Sequence, residues 1–132
     1  MALLTEKARQ RLSDPNFGYL ATIMEDGSPQ VSPVWVDLEG DQILFNTSKG
    51  RVKERNMRRD PRVAISIADK DTPYDKVDIR GRVVDWVEGD DAFAHIDKLA
   101  KKYMGEDKCP WLQPGEERLI VKVEPEKISE MG

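Results

Sequence analysis

The apolar residues of this chain recur with two different periods, which divide it into elements. Leu4, Ala8 and Leu12 fall four apart, predicting a short helix over Thr5–Leu12 that Asp14-Pro15-Asn16 ends. From Phe17 to Met24 the pattern is that of a strand, and Glu25-Asp26-Gly27-Ser28 contains the Asp-Gly pair of a hairpin turn. Pro29–Asp37 alternates, with Val31, Pro33 and Trp35 on one face and Ser32, Val34 and Val36 on the other. Pro33 has no N–H to give a ladder, which places this run at a sheet edge or a bulge. A turn at Glu39-Gly40-Asp41 leads into a third strand, Gln42–Thr47.

After Ser48-Lys49-Gly50 the period lengthens. Val52, Arg55, Asn56 and Arg59 sit at helical spacing, and Asp60-Pro61 stops that helix. Val63–Ala68 reads as a fourth strand and Val77–Val87 as a fifth, with Gly81 marking a bulge or bend. Arg118–Val123 is a sixth, which Pro125 is expected to limit. Before it, Asp90 is placed to cap a helix reaching Tyr103, with Phe93, Ile96, Leu99, Ala100 and Tyr103 as its buried stripe. The loop Gly105–Gly115 holds Pro110, Trp111 and Pro114. The expected fold is therefore mainly β with helices: six short antiparallel strands that close into a barrel to remove their edges. No repeat, linker or low-complexity segment interrupts residues 1–132, so one domain is expected.

Composition narrows the partners. Twenty-one basic and 25 acidic residues give a net charge of −4 with the signs interspersed, which argues against nucleic acid as the main partner. No apolar stretch approaches the ~18 residues of a membrane span and no apolar signal core follows Met1, so a cytoplasmic protein without a membrane segment is expected. One cysteine, Cys109, and one histidine, His95, put the ordinary Cys/His metal sites out of reach, and no metal is expected. A chain of this size buries about two thirds of its unfolded surface. Little volume is left to enclose a large ligand, so a second copy would have to complete a large site.

The stretch richest in chemistry is Asn46-Thr47-Ser48-Lys49-Gly50-Arg51-Val52-Lys53. A strand ends in amide and hydroxyl side chains, passes a glycine and opens a helix, whose first N–H groups and positive end favour phosphate. Gly50 permits close backbone approach, and Arg51 can grip two oxygens at once. Basic side chains are unfavourable in a helix's first turn, yet Lys49, Arg51 and Lys53 cluster there, and Glu54 is the sole acid between positions 42 and 59. Sequences accept such local conflict at binding sites. Spacing by itself fits a solvated, accidentally basic helix start equally well.

The run SPVWVDLEGDQILFNTSKGRVKERNMRRDPRVAISI (Ser32–Ile67) resembles the pyridoxamine 5'-phosphate oxidase-like superfamily, and most of all its coenzyme F-420 (deazaflavin)-dependent branch. PYDKVDIRGRVVD (Pro73–Asp85), AHIDKLAKKYMG (Ala94–Gly105) and PWLQPGEERLIVKVEPEKI (Pro110–Ile128) extend the resemblance over nearly the whole chain in order. It implies an FMN-binding-like split β-barrel working as a homodimer, with cofactor sites between the subunits. By the same resemblance, Gln30, Val31, Ser32, Pro33, Val34 and Trp35 run along the flavin or deazaflavin ring. Asn46, Thr47 and Ser48 surround the ribityl chain and phosphate, Arg51 and Lys53 hold the phosphate, and Lys76 faces the neighbouring subunit's cofactor. The residue pattern and the resemblance meet at Arg51 and Lys53.

Other residues have competing readings. Trp35, Trp86 and Trp111 read first as packing residues, though Trp111 in its proline-flanked loop would also suit the wall of a planar ring. Tyr74 is a weak candidate proton donor, His95 reads as a surface residue, and Arg58-Arg59-Asp60-Pro61-Arg62 as a helix C-terminal cap or a holder of an acidic cofactor tail. No acid/base pair stands out, which suits hydride transfer by a cofactor and suits hydrolysis badly. The expected function is an oxidoreductase that binds coenzyme F-420 and passes hydride to a small organic substrate. The alternatives are an FMN-dependent oxidase or reductase of the same fold and a non-catalytic flavin or tetrapyrrole binder. Residues Glu124–Gly132 show no Arg/His substrate motif, so oxidation of pyridoxamine phosphate itself is not expected.

Overall fold

The computed structural model describes residues 2–132. Along them run α1 (Glu6–Ser13), β1 (Gly18–Ile23), β2 (Pro29–Val34), β3 (Val36–Glu39), β4 (Gln42–Ser48), α2 (Val52–Arg59), β5 (Arg62–Ala68), β6 (Lys76–Val87), α3 (Asp90–Met104) and β7 (Arg118–Met131). Every strand pair is antiparallel, in the order β2-β1-β5-β6-β7-β4-β3.

Trp35 shows why this sheet must curl. β2 and β3 stand at opposite ends of the strand order, yet Trp35 alone separates them. Two residues of extended chain span at most about 7 Å, so the two ends of the sheet come together there. Residues 29–39 are in effect one stave that pairs with β1 as far as Val34 and with β4 from Val36 onward. Six expected strands and seven observed ones differ by this change of partner. The predicted alternation runs straight through it, since Val34 and Val36 are both buried in the core and Trp35 is not. Pro33 lies where its strand has one neighbour, so its missing N–H leaves no ladder partner unmet. The fold is a split β-barrel with three helices among the described residues.

The barrel interior is filled by Leu20, Ile43, Phe45, Ile65, Ile67, Val77, Ile79, Val121 and Val123, with Leu12 of α1 packed against them. Full burial of such side chains is worth roughly 1.5–3 kcal/mol each. The start of α1 is fixed by Thr5, whose hydroxyl accepts from the Ala8 N–H at 3.1 Å. A second cluster of Leu44, Ala92 and Ile120 marks where α3 covers the outside of β4 and β7. β4 is consequently buried on both faces from Ile43 to Ser48, which takes its polar end out of water.

Gly81 sits at a register shift between β6 and β7, and a Cβ there would lie 2.6 Å from the Glu124 carbonyl oxygen, so the expected bulge is present. Two sequence expectations fail. Pro125 does not limit β7: it stands opposite Gly81 in the bulge, where the ladder is already broken, and pairing continues to Met131. Nor does Asp90 cap α3. Gly89 at φ 79° is the N-cap, and Asp90 and Asp91 occupy the first turn, where their charge meets the helix's positive end.

Candidate functional site

The β4–α2 corner is assembled from consecutive residues. Gly50, at φ 94°, turns the chain, and Arg51 takes the N-cap position of α2 without any side-chain capping bond. The turn is held from inside the helix instead. Glu54 Oε1 accepts from the Gly50 N–H at 2.9 Å, and Arg55 Nη1 donates to the Gly50 carbonyl at 2.5 Å. The Gly50 N–H keeps the Glu54 carboxyl below its ordinary pKa despite burial, with help from Arg58. The side chains of Arg51 and Lys53 are left without a hydrogen bond or ion pair to any described residue.

Both line a cleft of about 280 Å³. Pro33, Val34 and Trp35 supply one wall, Asn46 and Thr47 the floor from β4, and Trp111 and Leu112 a further side. A third cation enters from β7. Arg118 is 9% exposed, its Nε donates to Asn46 Oδ1 at 2.8 Å and its Nη1 to Glu116 Oε1 at 2.8 Å. Burial, and then the charges of Arg51 and Arg118, push the Lys53 ammonium below its ordinary pKa. The charge of Arg118 is offset in part by its pair with Glu116, which also lines the cleft, and an anion beside Arg51 and Lys53 relieves the repulsion that remains. Beside them the Thr47 hydroxyl is buried with no partner, a state that costs about 1–3 kcal/mol unless a ligand satisfies it. Cations, an orphaned hydroxyl and a helix start together fit a phosphate.

Next to the charges the cleft is aromatic. Trp35 stacks on Tyr103 at 5.3 Å and 6°, Tyr103 stacks on Phe17 at 5.8 Å, and Trp111 leans toward Trp35 at 5.8 Å and 39°. The ladder is pinned through Tyr103, whose hydroxyl donates to the Asn16 carbonyl at 2.6 Å and accepts from the Val36 N–H at 3.0 Å. Burial pushes that phenol up to about 12. A flat ring can lie against such a wall, with a phosphate reaching the corner.

Residues 4–132 match the pyridoxamine 5'-phosphate oxidase family. The chain belongs to this family. Among solved structures it is similar to an F420 reductase, at 34% identity over 96% of this chain and 98% of that one, with a TM-score of 0.82. It is also similar in fold to the conserved hypothetical protein Rv2991 of Mycobacterium tuberculosis, at 22% identity, 98% and 85% coverage and a TM-score of 0.71. The heme storage protein HutZ of Vibrio cholerae stands at 18% identity, 99% and 96% coverage and a TM-score of 0.71. At those last two identities the likeness is one of fold alone.

Within this family barrel the predicted site residues fall into three groups. Pro33, Val34, Trp35, Asn46, Thr47, Arg51 and Lys53 share the cleft. Ser48 is buried at the end of β4, with its hydroxyl 3.5 Å from the Glu117 carbonyl. The others lie away from it. Gln30 Oε1 accepts from the Thr22 hydroxyl at 3.3 Å, and the Ser32 hydroxyl has no partner. Val31 and Lys76 line a separate hollow of about 500 Å³ on the sheet, with Lys76 paired to Asp78. Tyr74 is 79% exposed in the loop before β6, outside both hollows.

Trp111 takes its alternative role as a cleft wall, whereas Trp86 packs under Arg58, whose guanidinium carbon lies 3.8 Å from the ring centre. His95 is not a surface residue. It is 7% exposed because α3 lays this side of itself over β4. Arg118 carries no local signal in the sequence, because only the β4–β7 register, which sets it opposite Ser48, brings it to the corner. Among the described residues no group of three or more His, Cys, Asp or Glu side chains could hold a metal, and no helix is long and apolar enough to cross a membrane.

Proposed function

We propose that this member of the pyridoxamine 5'-phosphate oxidase family is an oxidoreductase that binds coenzyme F-420 and acts as a homodimer on a small organic substrate. The observation that carries the reading is the meeting of Arg51, Lys53 and Arg118 with the orphaned Thr47 hydroxyl beside an aromatic wall. That combination suits a ligand with a phosphate at one end and a flat ring at the other. Likeness to an F420 reductase at 34% identity favours a deazaflavin as that ligand.

In this reading Arg51 and Lys53 hold the phosphate, Thr47 donates its hydroxyl, and Pro33–Trp35 lie along the ring with Trp111 shielding it from water. A reduced deazaflavin supplies a hydride to the substrate when bound. The cleft of about 280 Å³ falls just below the ~300–1,000 Å³ of pockets that enclose drug-sized ligands, so a second copy completes the site. Tyr74 and Lys76, remote from the cleft of their own chain, would then serve the neighbour's, Tyr74 as proton donor. Storage of haem is the weaker alternative, because both ring nitrogens of the sole histidine face partners, Asn46 and Asp37.

Fluorescence titration with F-420 and with FMN tests the reading. Saturable F-420 binding, with the protein a dimer in sedimentation, is the expected result. Tight FMN and weak F-420 would replace the deazaflavin with the flavin of the same fold. If neither bound below about millimolar, the cleft would not be a cofactor site.

A further inference from the structure

We infer that His95 and Asp37, beside the cleft on the α3-covered face of β4, are positioning residues that hold Arg118 in the anion site through the side-chain amide of Asn46. The inference rests on the cleft taking an anionic ligand, as proposed above.

Partners with only one hydrogen-bonding polarity decide the geometry. Arg118 Nε–H can only donate, and at 2.8 Å it faces Asn46 Oδ1. The Ala92 carbonyl can only accept, and at 2.9 Å it faces Asn46 Nδ2. The amide is therefore locked in one orientation from both sides. Its nitrogen also lies 3.2 Å from His95 Nδ1, so that ring nitrogen must be bare and accepting. The ring proton consequently sits on Nε2, 3.2 Å from Asp37 Oδ2. Asp37 is fit to receive it. Although burial works to raise its pKa, bonds from His95, Lys98 and the Leu38 N–H hold the carboxyl well below the usual range. Lys98 Nζ lies 3.0 Å from the same oxygen.

The result is a buried line, Asp37–His95–Asn46–Arg118, with His95, Asn46 and Arg118 each under one tenth exposed. Its outer end opens on a different hollow, lined by Asp37, His95 and Lys98, and its inner end on the cleft. The acceptor at His95 Nδ1 adds to the Ala92 carbonyl in denying the Asn46 amide its reversed orientation. Reversed, the amide would set N–H against Arg118 N–H and release the guanidinium from the cation cluster. Outer partners that orient a metal's ligands change its affinity by about 10–100-fold when mutated, and an outer partner that orients an anion's ligand acts by the same logic.

Two measurements test this. The chain's one histidine makes its ring nitrogens directly readable by ¹⁵N NMR without any ligand. A ring protonated at Nε2 and bare at Nδ1 is expected, and a ring protonated at Nδ1 would overturn the inference even if the cleft binds F-420. The second measurement is affinity for F-420 in two variants of similar thermal stability. His95→Asn keeps an acceptor near Nδ1 and should stay within about twofold of wild type, while His95→Gln keeps only the group facing Asp37 and should bind about tenfold more weakly. Equal affinity of both variants with wild type would sink the positioning role. Wild type that binds no cofactor would instead sink the proposed function, with the NMR result standing by itself.

Discussion

The two ends of α2 carry the same kinds of side chain and use them in opposite ways. At its C-terminal end Arg58 donates to Glu54 Oε2 at 3.0 Å and lies over Trp86, and Arg59 donates to Asn56 Oδ1 at 3.0 Å and to the Ile23 carbonyl at 3.3 Å. Positive charge is also favoured there by the helix's own field. At the N-terminal end the side chains of Arg51 and Lys53 oppose that field and have no partner among the described residues. A basic residue therefore says little by its presence. Its position in the helix field and the state of its hydrogen bonds separate a cation that holds the fold from one kept for a ligand.

The largest expected effect breaks the N-terminal end. Arg51→Ala with Lys53→Ala should weaken F-420 binding by about 2–5 kcal/mol, taking charge-assisted hydrogen bonds at roughly 1.5–3 each. Stability should change by less than about 0.5 kcal/mol, since no intramolecular partner is lost. Wild-type affinity in a fluorescence titration of that variant would erase the contrast. At the other end the order should reverse. Asn56, 1% exposed, donates to the Thr22 hydroxyl at 3.0 Å and supports Arg59, so Asn56→Ala should cost about 1–3 kcal/mol in urea unfolding and leave affinity unchanged. Arg58→Ala removes a half-exposed ion pair and a cation–π contact, and should cost about 0.5–1 kcal/mol with the same silence in binding.

Lys102 sharpens the comparison with the smallest effect. Like Lys53 it is depressed first by burial, to about 8, but it donates to the carbonyls of Leu12 and Val36 (2.6 Å to the latter) and so serves structure. A lysine whose folded pKa lies below its unfolded value binds fewer protons when folded, so its contribution to stability rises with pH from about 8 toward about 10.5. Tyr103, raised to about 12 from 10.0, acts in the opposite sense above about 10. Lys102→Met should flatten the rise between pH 8 and 10 in thermal melts, and an unchanged profile would show that burial of this amine carries no such penalty.

Legibility in the sequence follows how far apart the contributing residues lie. The corner from Asn46 to Lys53 could be read because its parts are consecutive and its charges run against the helix field. Arg118 and His95 could not, because a strand register and a helix laid across a strand bring them in from 72 and 49 positions away from Asn46. Neither leaves a periodic trace. The barrel's closure was hidden for another reason: in-and-out alternation passes unbroken through Trp35, so a stave that changes partner looks like one that does not. Pro125 misled because proline ends a ladder only where the ladder is intact.

The single residue at Trp35 also fixes where the chain can vary in length. Inserting one amino acid there would put the following stretch out of phase, turning Val36 outward and Asp37 into the hydrocarbon interior. The turns at Gly27 and Gly40 carry no such constraint, for nothing lies within 4 Å of a side chain added at either. Lineages of this protein should therefore lengthen at those two tips and stay invariant in spacing across the seam, and the indole beside the cleft inherits its exactness of position from the arithmetic of the barrel.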